Sequence, residues 1–329
     1  MPQKLILDVD TGTDDAVAIM LAALHPELEL LGVTTVNGNV AVEHCTDNSL
    51  RVLDHIGRSD ISVYQGANRP LVRATQPPTR RYQEGGEKYH AETLPIPPAR
   101  SAKADATAVE FLIETYRAAT DPITLMPVGP LTNIAAALAA EPSFVKRVPN
   151  LVIMGGGYAF GNVTASAEFN IWADAEAAAR VLNAGFEKLT LVPLDATHQA
   201  LMTYADCDRL AALGTPAATA TAEIVRFRID VHDKYQRMGE AGGSAPVHDA
   251  LCVASLVKRA ILTTKRYYVE VDTASPLTLG TTILDTQNRS GFPPNADVAL
   301  GADAKAFVDM LVETFARPHG GKSEDRQRP

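Results

Sequence analysis

Tryptophan occurs once in these 329 residues, cysteine three times, and aromatic side chains make up 6% of the chain. Cys45, Cys207 and Cys252 are widely spaced and odd in number, so they form neither a disulfide framework nor a zinc or redox motif. They are expected to be buried, reduced core residues of a cytoplasmic protein. Long apolar runs are missing too: none approaches the ~20 residues that a membrane span needs. A strand-like segment begins within a few residues of Met1, which leaves no room for a signal peptide. Positive charge is in the minority, with 30 Lys and Arg against 39 Asp and Glu and a formal net charge of −9. No basic stripe with interleaved aromatics is present, which argues against nucleic acid or an anionic membrane as a partner. The shortage is sharpest near the N terminus, where no Lys or Arg occurs between Lys4 and Arg51.

That cation-free stretch carries the densest acidic cluster of the chain: Asp8, Asp10, Asp14 and Asp15. Leu5 to Val9 is an apolar run of strand length, and Ala16, Ile19, Met20, Ala23 and Leu24 recur at helical spacing. The acids thus line a strand-to-helix crossover, the place where open α/β sheets bind ligands. Like charges this close repel and raise one another's pKa unless something positive is present. A divalent cation resolves the repulsion, and an oxygen-only donor set without nearby Cys or His favours a hard ion, Ca²⁺ or Mg²⁺, over zinc. Capping at a helix start would explain one or two of these acids but not four around a turn.

Strand-like runs at 4–9, 28–36, 61–64, 123–128, 150–154 and 188–194 alternate with helical patterns. One helix face is marked by Val42, Cys45, Ser49, Val52, Leu53 and Ile56, another by Ala108, Phe111, Leu112 and Tyr116. Further helices are expected over 131–140, 174–184, 218–236, 247–258 and 304–315. With 46% hydrophobic residues the chain can bury a large core. The alternation predicts a single open α/β domain of Rossmann-like type, a mostly parallel sheet with helices on both faces, over residues 1–316. Residues 317–329 read as a disordered tail. The segment 73–102, rich in Pro, Gly and charge, is a candidate functional lid, and 239–244 is a second glycine-rich loop.

Other constellations are weaker alone. In Ala167 to Ala173 an alternating pattern would set Glu168 and Asn170 on one side of an extended segment, suited to a polyol; the competing reading is an ordinary turn before a helix capped by Asp174. His248-Asp249 opens an apolar helix, where Asp249 could be only a cap. Asn37-Gly38-Asn39 follows the second strand as a turn does. Gly155-Gly156-Gly157 fails the dinucleotide pattern, because the third glycine would fall at Phe160. The Asp8-x-Asp10 pair is similar to the nucleophile motif of haloacid-dehalogenase-type phosphatases, but Gly12 breaks it and no cation for a phosphate lies nearby. An EF-hand is excluded by the position of the glycine and the missing distal Glu.

Together these segments resemble the nucleoside hydrolases of the inosine-uridine-preferring type. Asp8-Val9-Asp10-Thr11-Gly12-Thr13-Asp14-Asp15-Ala16 is similar to that family's D-x-D-x-G-x-D-D-A signature. Val33 to Asn39, Gly129 to Ala135, Met154 to Gly157, Ala167 to Asn170, Thr197 to Ala200 and Val247 to Asp249 match in order. The resemblance implies the nucleoside hydrolase fold and hydrolysis of ribonucleosides to ribose and free base. It further implies Ca²⁺ bound by Asp10, Asp15, Asp249 and the carbonyl of Val128. Asp14, Asn39, Glu168 and Asn170 would hold the ribose, with Met154 beneath the sugar. Asp10 would be the general base and His248 the acid for the leaving nucleobase. A homodimer or homotetramer is implied as well. His90-Ala91-Glu92 departs from the family's His-Gly-Glu lid motif, and the loop before His248 lacks an aromatic, so His90 and Tyr235 are candidate lid or base contacts. Base preference stays open. The alternatives are a haloacid-dehalogenase-type phosphatase and a Ca²⁺-dependent nucleoside or sugar binding protein without turnover.

Overall fold

The computed structural model describes residues 1–77 and 89–317. Its first part runs β1 (Gln3–Val9), α1 (Thr13–Leu24), β2 (Leu28–Thr35), α2 (Val42–His55), β3 (Val63–Gln65), α3 (Ala108–Ala118), β4 (Ile123–Pro127), α4 (Thr132–Ala140), α5 (Phe144–Arg147) and β5 (Asn150–Met154). Then follow α6 (Phe169–Ala173), α7 (Ala175–Leu182), β6 (Leu189–Val192), α8 (Leu194–Thr197), β7 (Leu201–Thr203), α9 (Tyr204–Ala211) and α10 (Pro216–Tyr235). The last part is β8 (Ser244–Pro246), α11 (His248–Val257), β9 (Leu262–Val271), β10 (Thr282–Asp285), β11 (Ala296–Ala302) and α12 (Ala304–Phe315).

Nine strands form one sheet in the order β10, β9, β11, β6, β5, β4, β1, β2, β3, and only β9 runs against its neighbours. From β1 the chain winds outward through β2 to β3, then returns to add β4 on the other side. The strand order therefore reverses between β1 and β4, and in such sheets the crevice at that point, beyond the carboxyl ends of the strands, receives the ligand. Both faces of the sheet are covered. Leu5, Leu7 and Val9 of β1 join one core with α1, α2, α10, α11 and α12, while Ile6 faces a second core with α3, α4 and α7. That is the period-2 alternation of a strand buried on both sides. Every residue of α1 is buried, because the helix is wedged between the sheet and α2, α10, α11 and α12.

The first six strands fall where the sequence pattern puts them, with ends shifted by a residue or two. The strands after Val192 carry no such pattern. β7 and β8 are three residues each and pair only with one another. β9 alternates buried and exposed positions and includes Lys265 and Arg266, so it does not read as an apolar run. Of the 73–102 loop, 78–88 lie outside the described residues. Its ends are tied down: Arg73 pairs with Glu176 at 2.7 Å, and the N–H groups of Arg100 and Ser101 donate to Asp54 at 2.5 and 2.9 Å. The expected tail also lies outside the described residues, except Arg317, whose N–H donates to the Thr314 carbonyl at 3.3 Å.

Candidate active site

Where β1 ends and α1 begins, three carboxylates come together for reasons local to the turn. Asp15, in the first turn of α1, accepts the N–H groups of Asp10 at 3.2 Å and Gly12 at 2.9 Å, which closes the helix start around it. Asp10 accepts the N–H of Asn39, from the turn after β2, at 2.7 Å. Glycines make room for it: a Cβ on Gly38 would sit 2.0 Å from Asp10 Oδ2, and one on Gly129 would sit 2.8 Å from Oδ1. Asp249 arrives from α11, in whose first turn it lies. Carboxylate oxygens of Asp14, Asp15 and Asp249 lie within 4.8 Å of one another, all buried. α11 starts after Val247 without a side-chain cap, so Asp249 is not the simple cap that the local pattern allowed.

Asp8 does not belong to this group. It shares the strand face of Ile6 and points into the other layer, where its Oδ1 accepts from Thr34 Oγ1 at 2.5 Å and Asn133 Nδ2 at 2.7 Å. The absence of a neighbouring base is also corrected by the tertiary structure. Arg228 reaches in from α10 and pairs with Asp14 at 2.9 Å, both side chains buried. Burial opposes ionisation of Asp14, but Arg228, His248 and His90 outweigh it and hold its pKa below the ordinary value. No ion pair reaches Asp10, Asp15 or Asp249 among the described residues. Burial, then repulsion by Asp15, pushes Asp10 well above the usual carboxylate range. Burial and Asp14 raise Asp15 to about 7, and burial with Asp14 and Asp15 raises Asp249 strongly. Buried acids that lack a counter-charge, an all-oxygen donor set in a pocket that Val128 also lines, fit a hard divalent cation.

Glu168 and Asn170 complete one wall, though not as an extended segment. Ala167 bridges to Thr281, and Glu168 then caps α6, its Oε1 accepting from Asn170 N at 2.9 Å and its Oε2 from Gly156 N at 2.9 Å and Ile171 N at 3.2 Å. These cap bonds outcompete the strand conformation. Asp174 caps α7 in turn, accepting from Ala177 N at 3.1 Å. Asn170 donates to the Val128 carbonyl at 2.7 Å and to the Met154 carbonyl at 3.2 Å. Burial lifts Glu168 to about 7 against its three N–H donors. Asp10, Asp14, Asn39, Val128, Met154, Glu168, Asn170, His248 and Asp249 all line one pocket at the β1/β4 crevice.

The opposite wall was only partly legible in the sequence. His90 is there, its Nδ1 accepting the N–H of Thr13 at 3.2 Å; a Cβ on Gly12 would lie 2.0 Å from that nitrogen. His232, one turn along α10 from Arg228, adds a ring whose Nε2 is buried without a hydrogen-bond partner among the described residues. Tyr89 packs edge-on against His232 with centroids 5.2 Å apart. Tyr235 is 43% exposed at the end of α10 and does not line the pocket, whereas Tyr89, 6.5 Å away, does. Tyr235 is the last residue of α10, and Gln236 just after it lines the pocket in its place. Arg228, His232 and Tyr89 lie in no motif; the long helix over 218–236 could have hinted at the first two, and the 73–102 segment with His90 at the third.

The model of the inosine-uridine preferring nucleoside hydrolase family matches residues 5–309. The pyrimidine-specific ribonucleoside hydrolase RihA of Shewanella sp. (strain ANA-3) is 40% identical over 320 residues, covering 96% of this chain and 97% of the relative. RihA of Salmonella gallinarum is 38% identical, covering 95% and 98%. Among solved structures, the purine-preferring ribonucleoside hydrolase from Gardnerella vaginalis superposes with a TM-score of 0.86 at 31% identity, over 95% of this chain and 98% of that one. These matches remove the phosphatase and the turnover-free binding protein as alternatives. The chain is an enzyme of the inosine-uridine preferring nucleoside hydrolase family.

Proposed function

We propose that the enzyme hydrolyses pyrimidine ribonucleosides to ribose and free base, with Ca²⁺ held by Asp10, Asp15, Asp249 and the Val128 carbonyl. The observation that carries this reading is the meeting of uncompensated carboxylates with Asn39, Glu168 and Asn170 in one pocket at the β1/β4 crevice. The pyrimidine part is supported by relatives at 38–40% identity named pyrimidine-specific, against a purine-preferring neighbour at 31%. The family implies a metal-dependent hydrolase, and the preference for calcium over magnesium is our inference from the carboxylate-rich donor set. A divalent ion held there supplies Lewis acidity and a fixed anchor for oxygen ligands.

Asp10 takes the proton of the attacking water, and Asn39 N and the close glycines hold its carboxylate in one orientation. Asp14, Asn39, Glu168 and Asn170 bind the ribose hydroxyls, and Met154 packs beneath the sugar. Glu168 is rigid for this task because three backbone N–H groups fix its oxygens. Positive charge that develops at the anomeric carbon then faces a wall of carboxylates. His248 protonates the leaving base, with His90 as the second candidate. A cytoplasmic setting and a homodimer or homotetramer belong to the same reading; the free, buried Cys45, Cys207 and Cys252 are in keeping with the first.

A panel of uridine, cytidine, inosine and adenosine, read by release of reducing sugar with and without a chelator, tests the proposal. Uridine or cytidine should lead, and chelation should abolish turnover until Ca²⁺ is restored. Faster hydrolysis of inosine overturns the base preference, and full activity in protein shown by elemental analysis to be metal-free overturns the ion.

A further inference from the structure

The carboxylates that converge most closely are Asp14, Asp15 and Asp249, whereas the proposed metal ligands are Asp10, Asp15 and Asp249. Asp14 is thus near enough to join the cation, and something must assign it to the sugar instead. Arg228 meets that need. Its Nη1 donates to Asp14 Oδ1 at 2.9 Å and to Thr13 Oγ1 at 2.6 Å, and its Nε donates to the Pro246 carbonyl at 2.9 Å. The guanidinium is only 3% exposed, so these bonds are made away from competing water. They tie the first turn of α1 to the strand that delivers His248 and Asp249. A planar fork held at both Nε and Nη1 cannot swing aside, unlike a lysine ammonium.

We propose that Arg228 is a positioning residue that withholds Asp14 from the cation and keeps its carboxylate directed at the ribose hydroxyls. The inference rests on the metal-dependent reading above. Its signature is a pair of effects of opposite sign. A guanidinium that merely held the fold together would, when lost, weaken metal and sugar binding alike. One that divides the carboxylates between two ligands should, when lost, strengthen the first and weaken the second.

The test is Ca²⁺ titration calorimetry on metal-free protein, paired with the KM for uridine and the inhibition constant for ribose. Arg228→Met should bind Ca²⁺ roughly 10-fold or more tightly, since a nearby positive charge is gone and a carboxylate is released. Its KM for uridine and its ribose inhibition constant should rise by a similar ~10-fold, with kcat changed less. Arg228→Lys should recover part of both. Should Arg228→Met fold poorly, the comparison moves to an Asp14→Asn background, where the double variant removes both charges of the buried pair. Adding Arg228→Met there should change KM by less than about 2-fold, because Arg228 acts through Asp14. Unchanged or weaker Ca²⁺ binding by a folded Arg228→Met protein, or a full additional KM loss on top of Asp14→Asn, overturns the inference. Wild-type protein that binds no Ca²⁺ overturns the metal reading itself, and this inference with it.

Discussion

His248 Nδ1 lies 2.7 Å from Thr197 Oγ1, so a hydroxyl at the end of α8 orients the ring that lines the pocket. Burial pushes the imidazole well below its ordinary pKa, against the pull of Asp14. With Nδ1 engaged by Thr197, Nε2 is the nitrogen left to carry a proton to a leaving base, the ring ending neutral after the transfer.

Loss of that proton should matter only when the leaving group needs it. His248→Ala is expected to slow uridine hydrolysis by roughly 10²-fold or more while barely affecting a nitrophenyl riboside, whose phenolate departs unaided. Thr197→Val should reproduce the selective loss in weaker form. Equal losses on both substrates would assign His248 to metal or sugar geometry. His90, whose Nδ1 accepts from Thr13 N and whose Nε2 is thus the nitrogen left for proton transfer, would then be the next candidate for the acid.

Asp10→Asn should leave the fold intact and lower kcat by at least ~100-fold, because it removes the base and a metal carboxylate together. Without metal the variant should melt higher than wild type, since a buried repulsion is relieved. Gly38→Ala should be damaging for a different reason: its Cβ would fall 2.0 Å from Asp10 Oδ2 and displace the carboxylate. Near-normal kcat in folded, metal-loaded Asp10→Asn would rule out the assigned role.

On the proposed reading, proton and cation compete for the same carboxylates, and this sets the pH dependence of metal stabilisation. Asp15 and Glu168 are raised to about 7 in the folded, metal-free protein, and Asp10 and Asp249 are raised strongly. Unfolded, such groups titrate near ~4. The metal-free fold therefore binds more protons than the unfolded chain between these values, and this contribution to stability is present at about pH 4 and lost as pH rises through about 7. Ca²⁺ should add most to Tm above about pH 7, with the increment shrinking toward pH 4. Histidines run the other way, since burial lowers His90 and His198 to about 4 and His232 to about 3, but they cancel when Tm is compared at one pH with and without ion. A Ca²⁺ increment that grows on acidification contradicts the assignment.

The wall proposed to hold the sugar is built from buried polar groups that a missing hydroxyl would leave unpaired. Replacing uridine with 2′-deoxyuridine should therefore lower kcat/KM by at least ~100-fold. Comparable turnover of the two would remove Asp14, Asn39, Glu168 and Asn170 from ribose recognition.

Much of this site is legible in the sequence because its geometry is local. A short apolar strand followed by Gly12 and an apolar helix leaves little freedom for Asp10, Asp14 and Asp15, and parallel strands put Asn39 and Val128 at the same edge of the sheet. Asp8 is legible as well once strand alternation is applied, since it shares the parity of Ile6 and not of Leu7 and Val9. Alternation sets Glu168 and Asn170 on one wall but in the wrong conformation, because two cap bonds make a helix where alternation suggests a strand. What the tertiary structure alone decided is the charge balance and the far wall. Arg228 stands 214 residues from Asp14, and Tyr89, from the 73–102 segment, packs on His232 of α10. A helix of 20 residues shows its apolar face in its sequence, but which polar side chain turns toward a distant pocket depends on how the helix docks. That docking is fixed by packing against α1 and α9, not by the residues it carries into the site.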